Sequence, residues 1–147
     1  MSIRIAKAED ATIIGQLLTQ LGYKTGKNFL IDKISQLIHH PDHLLVVYED
    51  NKVEAVMSVH FMPQLALTGE FAIISYLVVD ENIRSKGIGK ELEAYCVEQA
   101  KARGCDRIQL HSSLKRTGAH KFYEREGYQE SPKYFSKSLI VSGDPRS

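Results

Sequence analysis

A glycine-bearing turn between an apolar stretch and a helical stretch carries the residues best suited to chemistry. Residues 77–90 read Leu-Val-Val-Asp-Glu-Asn-Ile-Arg-Ser-Lys-Gly-Ile-Gly-Lys. The first N–H groups of a helix lack partners within the helix and form an anion site, and Gly87 and Gly89 lack the Cβ that would hold a phosphate away. Three side chains add positive charge: Arg84, Lys86 and Lys90. The segment predicts a phosphate-binding turn; the alternative is a turn whose basic residues are only solvated.

Two common phosphate-binding motifs are excluded at this turn. A P-loop has Ser or Thr after its Gly-Lys pair, whereas Glu91 follows Lys90 here. The dinucleotide-binding fingerprint has a third glycine three residues after the second, whereas Leu92 stands at that position. The turn therefore follows neither pattern.

A second motif lies towards the C-terminus, and together the two motifs resemble a known family. Residues 116–128 read Arg-Thr-Gly-Ala-His-Lys-Phe-Tyr-Glu-Arg-Glu-Gly-Tyr. They are similar to the A-x-x-F-Y-x-x-x-G-F/Y motif of the GNAT N-acetyltransferase superfamily, and residues 84–89 are similar to its R/Q-x-x-G-x-G/A signature. The motifs also stand in the family's order. Within the superfamily, residues 115–139 most resemble the aminoalkylphosphonate N-acetyltransferase branch.

The resemblance implies an α/β fold with a mixed, mostly antiparallel central sheet flanked by helices. It also implies an acetyl-CoA-dependent N-acetyltransferase that moves an acetyl group to the primary amine of a small molecule, by direct attack in a ternary complex. Two alternatives stay open: an acetyltransferase of peptide or protein amines, and a non-catalytic sensor that binds acyl-coenzyme A. A sensor would bind the thioester without turnover.

The resemblance also assigns roles to residues of both motifs. Backbone amides of the glycine turn would hold the coenzyme A pyrophosphate, and the preceding strand would pair with the pantetheine arm as with an added strand. The cofactor-binding residues are Leu77, Val78, Val79, Arg84, Ser85, Lys86, Gly87, Ile88, Gly89, Lys90, Ala119 and Phe122. Tyr123 would donate a proton to the departing thiolate, a role that suits a phenol. The alternative is that Tyr123 is only a core aromatic beside Phe122.

The general base is the least explicit part of the sequence. Many family members carry an acid on the central strand, where this sequence has Ser75 and Tyr76. Three residues are predicted to replace that acid, through water: Glu70, His60 and His111. Each has the alternative of being an exposed or satisfied core group. His39, His40 and His43 form a local cluster, for which metal binding is one interpretation. The favoured interpretation is that two histidines near a helix C-terminus favour its dipole; the spacing fits no common zinc site, and no metal is predicted.

The spacing of apolar residues predicts the elements that must position these side chains. Helical spacing predicts helices that end at Gly22, before Pro41, at Gly104 and at Gly127. Strands are predicted at 3–6, 44–48, 53–61, 71–79, 107–111 and 134–141. The fourth strand is almost continuously apolar, which predicts burial on both faces.

Composition sets the remaining expectations. The 147 residues fit one domain, predicted at 1–141 with a flexible tail at 142–147. The net charge of +1 gives no case for a nucleic-acid or membrane partner, and no apolar run is long enough to span a membrane. Two cysteines are too few for a disulfide framework or a four-thiolate metal site. We therefore expect a cytoplasmic protein with a small-molecule amine as its partner, and a homodimer stays open.

Overall fold

The computed structural model describes residues 2–83, 87–110, 117–129, 135 and 137–140. The chain divides into two compact units, Met1–His111 and Ser112–Ser147. A single domain over 1–141 stays a prediction. Within the described ranges, no helix is long and apolar enough to cross a membrane.

The first unit is built on a five-stranded sheet whose spatial order follows the chain. Its strands are β1 Ser2–Ile5, β2 His43–Asp50, β3 Lys52–Met62, β4 Phe71–Val79 and β5 Arg107–Leu110. The first three pairings are antiparallel, and β5 pairs with β4 in parallel. The predicted mixed, mostly antiparallel sheet is confirmed. The hairpin turn between β2 and β3 is tighter than predicted, because Asn51 adopts a positive φ of 65° and both strands extend towards it.

Helices cover both faces of this sheet and bury a separate apolar cluster on each. The helices are α1 Ala11–Gln20, α2 Lys27–Ile38 and α3 Ile88–Ala102, with short 3₁₀ turns at Ala8–Asp10 and Glu81–Ile83. On one face, alternate strand residues such as Val47 and Val56 pack with α1 and α2. On the other face, their neighbours, such as Met57, pack with α3. The two-residue period of the strands therefore sends successive side chains into different cores.

Strand β4 has two structurally different halves. Residues 71–74 pair with β3 on one side and with β5 on the other, and the last pair with β5 is Ile74 with Leu110. Residues 75–79 continue beyond that point, paired with β3 alone in the part of the chain that the structure describes. A β-bulge separates the halves, since Val59 pairs with Ile74 while Ser58 pairs with Tyr76.

The prediction that β4 is buried on both faces is therefore wrong at its centre. Ser75 and Tyr76 are exposed at the bulge, and the described part of β5 pairs no further along β4 than Ile74. The predicted bounds of the strand, 71–79, are confirmed.

The second unit contains one described helix, α4 Thr117–Arg125. It ends before Gly127, which has a positive φ of 92°, as the sequence predicts. The final strand predicted at 134–141 is not formed at Phe135 or at 137–140, which have no regular structure. The other residues of that prediction lie outside the described ranges.

Candidate active site

The glycine turn forms the N-terminus of α3. Gly87 is the N-cap residue and has a φ of 77°, a left-handed conformation that favours glycine. A Cβ added to Gly87 would meet none of the described residues within 4 Å, so they leave the space beside this backbone open. Gly87 has no side chain with which to satisfy the first amides of the helix, and the next residue, Ile88, is buried in the core. The described part of the turn therefore combines room beside Gly87 with helix amides that have no partner within the helix.

The sequence places the turn directly after residues 75–79, the open half of β4, which pair with β3 alone among the described strands. Leu77, Val78 and Val79 pair with Met57, Val56 and Ala55 of β3. A strand directs its backbone N–H and C=O groups alternately to its two sides, so this segment also has polar backbone groups on the side away from β3. Such an edge can accept an extended ligand by strand addition.

Three predicted cofactor residues and one predicted base are not described. Arg84, Ser85 and Lys86 lie outside the described residues, and so does His111. Their predicted roles stay predictions. Lys90 is exposed on the first turn of α3, where it adds positive charge near the helix N-terminus.

The residues of the second motif lie on α4 in the second unit. The ring of Tyr123 lies 5.2 Å from that of Phe122 and 5.6 Å from that of Tyr128, both in edge-to-face geometry. Tyr123, Phe122 and Ala119 are all partly buried. The ring contacts fix the orientation of Tyr123 within its own unit.

Glu70 lies in a cluster around Arg103, the residue that follows α3. The Arg103 Nε and Nη2 atoms donate to Glu70 Oε1 at 3.2 and 3.1 Å, and Nη2 also donates to Asp42 Oδ1 at 2.8 Å. The guanidinium lies over the Phe61 ring, 4.3 Å from its centroid. Glu70 is also at the paired end of β4, roughly 16 Å along the strand from Ser75 at 3.3 Å per residue. Both observations favour a structural role for this carboxylate.

His60 is paired with a histidine that the sequence did not select as a base. His43 of β2 stands opposite His60 of β3, and their Nδ1 atoms lie 3.0 Å apart. Burial lowers the pKa of His43 to about 4, with further lowering from His60 and His40. Burial and His40 also lower the pKa of His60. Two neutral imidazoles therefore stand side by side at pH 7.

A buried serine connects the histidine pair to the bulge of β4. Ser58 is only 5% exposed, and its Oγ lies 3.0 Å from Nε2 of His43. The Ser75 hydroxyl is within donating distance of Ser58 Oγ at 3.1 Å and of Ser58 O at 3.2 Å. The sequence signal that could have revealed this contact is a serine within the apolar run of each strand, Ser58 in β3 and Ser75 in β4.

Two exposed tyrosines meet beside the open half of β4. The rings of Tyr23, which follows α1, and Tyr76 pack edge to face with centroids 5.6 Å apart. They are 49% and 38% exposed. Burial and the neighbouring Tyr23 raise the pKa of Tyr76. Aromatic faces attract organic cations, so this pair is suited to an ammonium group.

The arrangement lacks the ligand clusters of a metal centre. Among the residues with described positions, no group of three or more His, Cys, Asp or Glu could hold a metal ion. Cys96 is buried and Cys105 partly buried, both as free thiols. Burial raises the pKa of Cys96 to about 12, which makes it inert as a nucleophile.

Two known proteins are similar in sequence to this chain. An aminoalkylphosphonate N-acetyltransferase from Salmonella typhimurium is 33% identical over 97 residues, which make up 66% of this chain and 63% of that protein. An uncharacterized N-acetyltransferase from Bacillus subtilis is 29% identical over 135 residues, 90% of this chain and 91% of that protein.

Solved structures show the same fold. The glucosamine-6-phosphate N-acetyltransferase of Arabidopsis thaliana superposes with a TM-score of 0.83 at 24% identity, covering 95% of this chain and 98% of that one. The sequence model of the Acetyltransferase (GNAT) family matches residues 10–128, which include the open half of β4, the glycine turn and the second motif. The chain therefore belongs to the GNAT family of acetyltransferases, whose members use acetyl-coenzyme A as cosubstrate.

Proposed function

We propose that this protein binds acetyl-coenzyme A and transfers its acetyl group to the primary amine of a small molecule. The observation that carries the proposal is the open half of β4, which runs through a short turn into the glycine-capped N-terminus of α3. This juxtaposition provides an edge for an extended arm and an anion site at its end. Both are needed by a thioester whose arm contains amides and whose far end is a pyrophosphate.

The residues present fit acetyl-coenzyme A by their chemistry. The backbone of Leu77, Val78 and Val79 would pair with the amides of the pantetheine arm. The amides that follow Gly87 would hold the pyrophosphate, because the left-handed glycine leaves space and the helix dipole favours an anion. The predicted contacts from Arg84, Ser85, Lys86, Gly89 and Lys90 belong to the same proposal.

The reaction is direct attack by the neutral amine on the thioester carbonyl. The nitrogen forms a bond to the carbonyl carbon, the carbon–sulfur bond breaks, and Tyr123 gives a proton to the thiolate that leaves. The nitrogen also loses one proton. Glu70, His60 and His111 are the bases proposed from the sequence, and the Arg103 cluster makes Glu70 the weakest of the three.

A small amine is the proposed acceptor. The Tyr23–Tyr76 pair offers an aromatic face to an ammonium group close to the bulge of β4. The relative from Salmonella typhimurium is named for aminoalkylphosphonates, so these compounds head the set of acceptors to be tested. A screen of small primary amines identifies the acceptor within this class.

The test is an acetyl-transfer screen with purified protein. Thiol release from acetyl-coenzyme A is followed with aminoalkylphosphonates, polyamines, amino acids, aminoglycosides and lysine peptides, and mass spectrometry confirms each acetylated product. Turnover of a small amine at rates well above thioester hydrolysis supports the proposal. Turnover of peptides alone would replace it with the peptide alternative, and tight binding of acetyl-coenzyme A without any turnover would replace it with the sensor.

A further inference from the structure

Four polar side chains form a hydrogen-bonded chain across three strands of the sheet. We call them the serine–histidine chain: Ser75, Ser58, His43 and His60. Its three links are Ser75 Oγ to Ser58 Oγ at 3.1 Å, Ser58 Oγ to His43 Nε2 at 3.0 Å, and the two histidine Nδ1 atoms at 3.0 Å. The chain lies on the face of the sheet that α1 and α2 cover, where the neighbouring strand residues are apolar.

The burial of the chain changes along its length. Ser75 is exposed at the bulge of β4, and His60 is exposed at the rim of the sheet. Between them, His43 is partly buried and Ser58 is 5% exposed. A buried hydroxyl needs only one partner to be satisfied, yet Ser58 joins two polar groups that both lead to solvent. The hydrogen bonds therefore connect the exposed bulge at Ser75 with the exposed rim of the sheet at His60.

We propose that the serine–histidine chain removes the proton that the acceptor amine loses during acetyl transfer. The proposal rests on the proposed function and names the group that replaces the acid missing at Ser75 and Tyr76. Ser75 contacts the amine, and the other three residues act through it. The chain starts at the bulge, beside the open edge along which the thioester would lie.

The proton count closes over one turnover, because the proton that water takes at His60 balances the one that water returns to Tyr123. The nitrogen becomes positively charged as it bonds to the carbonyl carbon, and one N–H proton passes to Ser75 Oγ. The Ser75 proton passes to Ser58 Oγ, and the Ser58 proton passes to Nε2 of His43. The His43 imidazolium then gives its Nδ1 proton to Nδ1 of His60, and water takes a proton from Nε2 of His60. Rotation of the hydroxyls and tautomer exchange with water restore the starting arrangement.

The ionisation of the histidine pair favours proton transfer over proton retention. Groups on the packed elements influence this ionisation. His40 in the loop after α2 lowers both histidine pKa values, and β4 places the un-ionised phenol of Tyr76 opposite Ser58. Asp42, beside them in the chain, is ion-paired with Arg103. Because the pKa of His43 is about 4, the pair is neutral at pH 7 and passes a proton on without retaining it.

The test interrupts the chain at its buried centre. Ser58→Ala removes the hydroxyl that joins the two ends, Ser58→Thr restores a hydroxyl, and His43→Gln breaks the next link at a less buried position. His39→Gln is the matched control, because His39 bonds only to Ser35 O at the end of α2. Each variant is measured for acetyl-coenzyme A affinity, for kcat/KM across pH, and for the solvent isotope effect in mixtures of H₂O and D₂O.

We expect Ser58→Ala and His43→Gln to lower kcat/KM roughly tenfold to a hundredfold, below the usual contribution of a direct acid or base. Affinity for acetyl-coenzyme A should stay unchanged, Ser58→Thr should recover most of the activity, and His39→Gln should match the wild type. The isotope effect should depend on deuterium fraction with curvature in the wild type, because several protons move, and without curvature in Ser58→Ala.

Wild-type kcat/KM and an unchanged isotope dependence in folded Ser58→Ala would overturn the chain and leave the proposed function standing. The same result in His43→Gln would overturn it if Ser58→Ala does not fold. A wild-type protein that binds acetyl-coenzyme A and acetylates no amine would overturn both proposals. The two failures are therefore distinguishable.

Discussion

The two halves of β4 differ in their strand pairing and in the segments that adjoin them. Residues 71–74 are paired on both sides, and the segment before them is held by Arg103 through Glu70. Residues 75–79 have one strand partner among the described elements, follow a bulge, and lead to the N-terminus of α3. The paired half fixes the strand in the sheet, and we propose that the open half offers its backbone to acetyl-coenzyme A. The difference shows how one strand can combine a stabilising segment with a segment proposed for recognition.

The same division separates the two groups of polar side chains along the sheet. The Arg103 cluster joins the α2–β2 loop to the start of β4, and its contacts are ion pairs and a cation–π contact. The serine–histidine chain joins the rim of the sheet to the bulge through neutral hydrogen bonds. We infer that the first group supports the fold and the second supports the reaction.

The largest effect is expected from Tyr123→Phe, which removes the proposed acid and keeps the ring. General acids contribute about 10² in rate or more, so kcat should fall roughly a hundredfold while acetyl-coenzyme A affinity changes little. Tyr128→Phe is the matched control, because its ring packs against the same side chain at 5.6 Å. Steady-state kinetics and calorimetric binding measure both. Unchanged turnover in Tyr123→Phe would reduce Tyr123 to a packing residue.

The next effect concerns the glycine turn. Gly87→Asp places a carboxylate at the proposed pyrophosphate site, and we expect acetyl-coenzyme A affinity to fall at least tenfold, about 1.4 kcal/mol. Gly104→Asp is the control for backbone strain, since Gly104 follows the other end of α3 with a φ of 75° and equally open space. Calorimetry on both variants distinguishes a loss of affinity at the pyrophosphate site from an effect of backbone strain. Equal affinities in the two would remove the turn from the binding site.

Removing the Arg103 cluster tests whether the paired half is structural. Arg103→Ala should lower the free energy of unfolding by about 1–2 kcal/mol, since two ion pairs and a cation–π contact are lost at a partly exposed site. The kcat of the folded fraction should stay near that of the wild type. Arg107→Ala is the milder control, because Arg107 is exposed and only lies over Phe71 at 5.4 Å. Urea unfolding gives the energies, and a large loss of kcat in Arg103→Ala would place this cluster in the reaction.

The smallest effect is the dependence of stability on pH. The pKa of His43 is lowered from 6.5 to about 4, so the unfolded chain binds this proton more readily than the folded one. The stabilisation is therefore complete above pH 6.5 and is lost as the pH falls towards 4. We expect His43→Gln to flatten the loss of stability in this window, whereas His39→Gln keeps the wild-type slope. Identical slopes in all three proteins would show that His43 titrates normally.

The sequence predicted the scaffold well, because the scaffold depends on local patterns. The almost continuous apolar run at 71–79 and the glycine at 87 were enough to place β4 and the start of α3. Apolar periodicity also placed the helices of the first unit. These signals need no knowledge of distant residues.

The sequence did not predict the polar contacts, because these depend on register. His43 was placed only in a local cluster with His39 and His40, yet it begins β2 and faces His60, 17 residues further along the sequence. Glu70 was a candidate base, and its partner Arg103 is 33 residues away. The burial of β4 was overestimated because its apolar run gave no sign of the bulge at which Ser75 and Tyr76 are exposed. Which strands meet, and where one ends, is a property of the fold.

Amide hydrogen exchange with and without acetyl-coenzyme A shows which half of β4 binds the ligand. We expect binding to protect those amides of residues 75–79 that point away from β3, together with the first amides of α3, because the ligand pairs with them. Amides of residues 71–74 should change little, since β3 and β5 already hold them. Protection spread equally over both halves of β4, or confined to residues 71–74, would contradict the assignment of the open half as the ligand-binding edge.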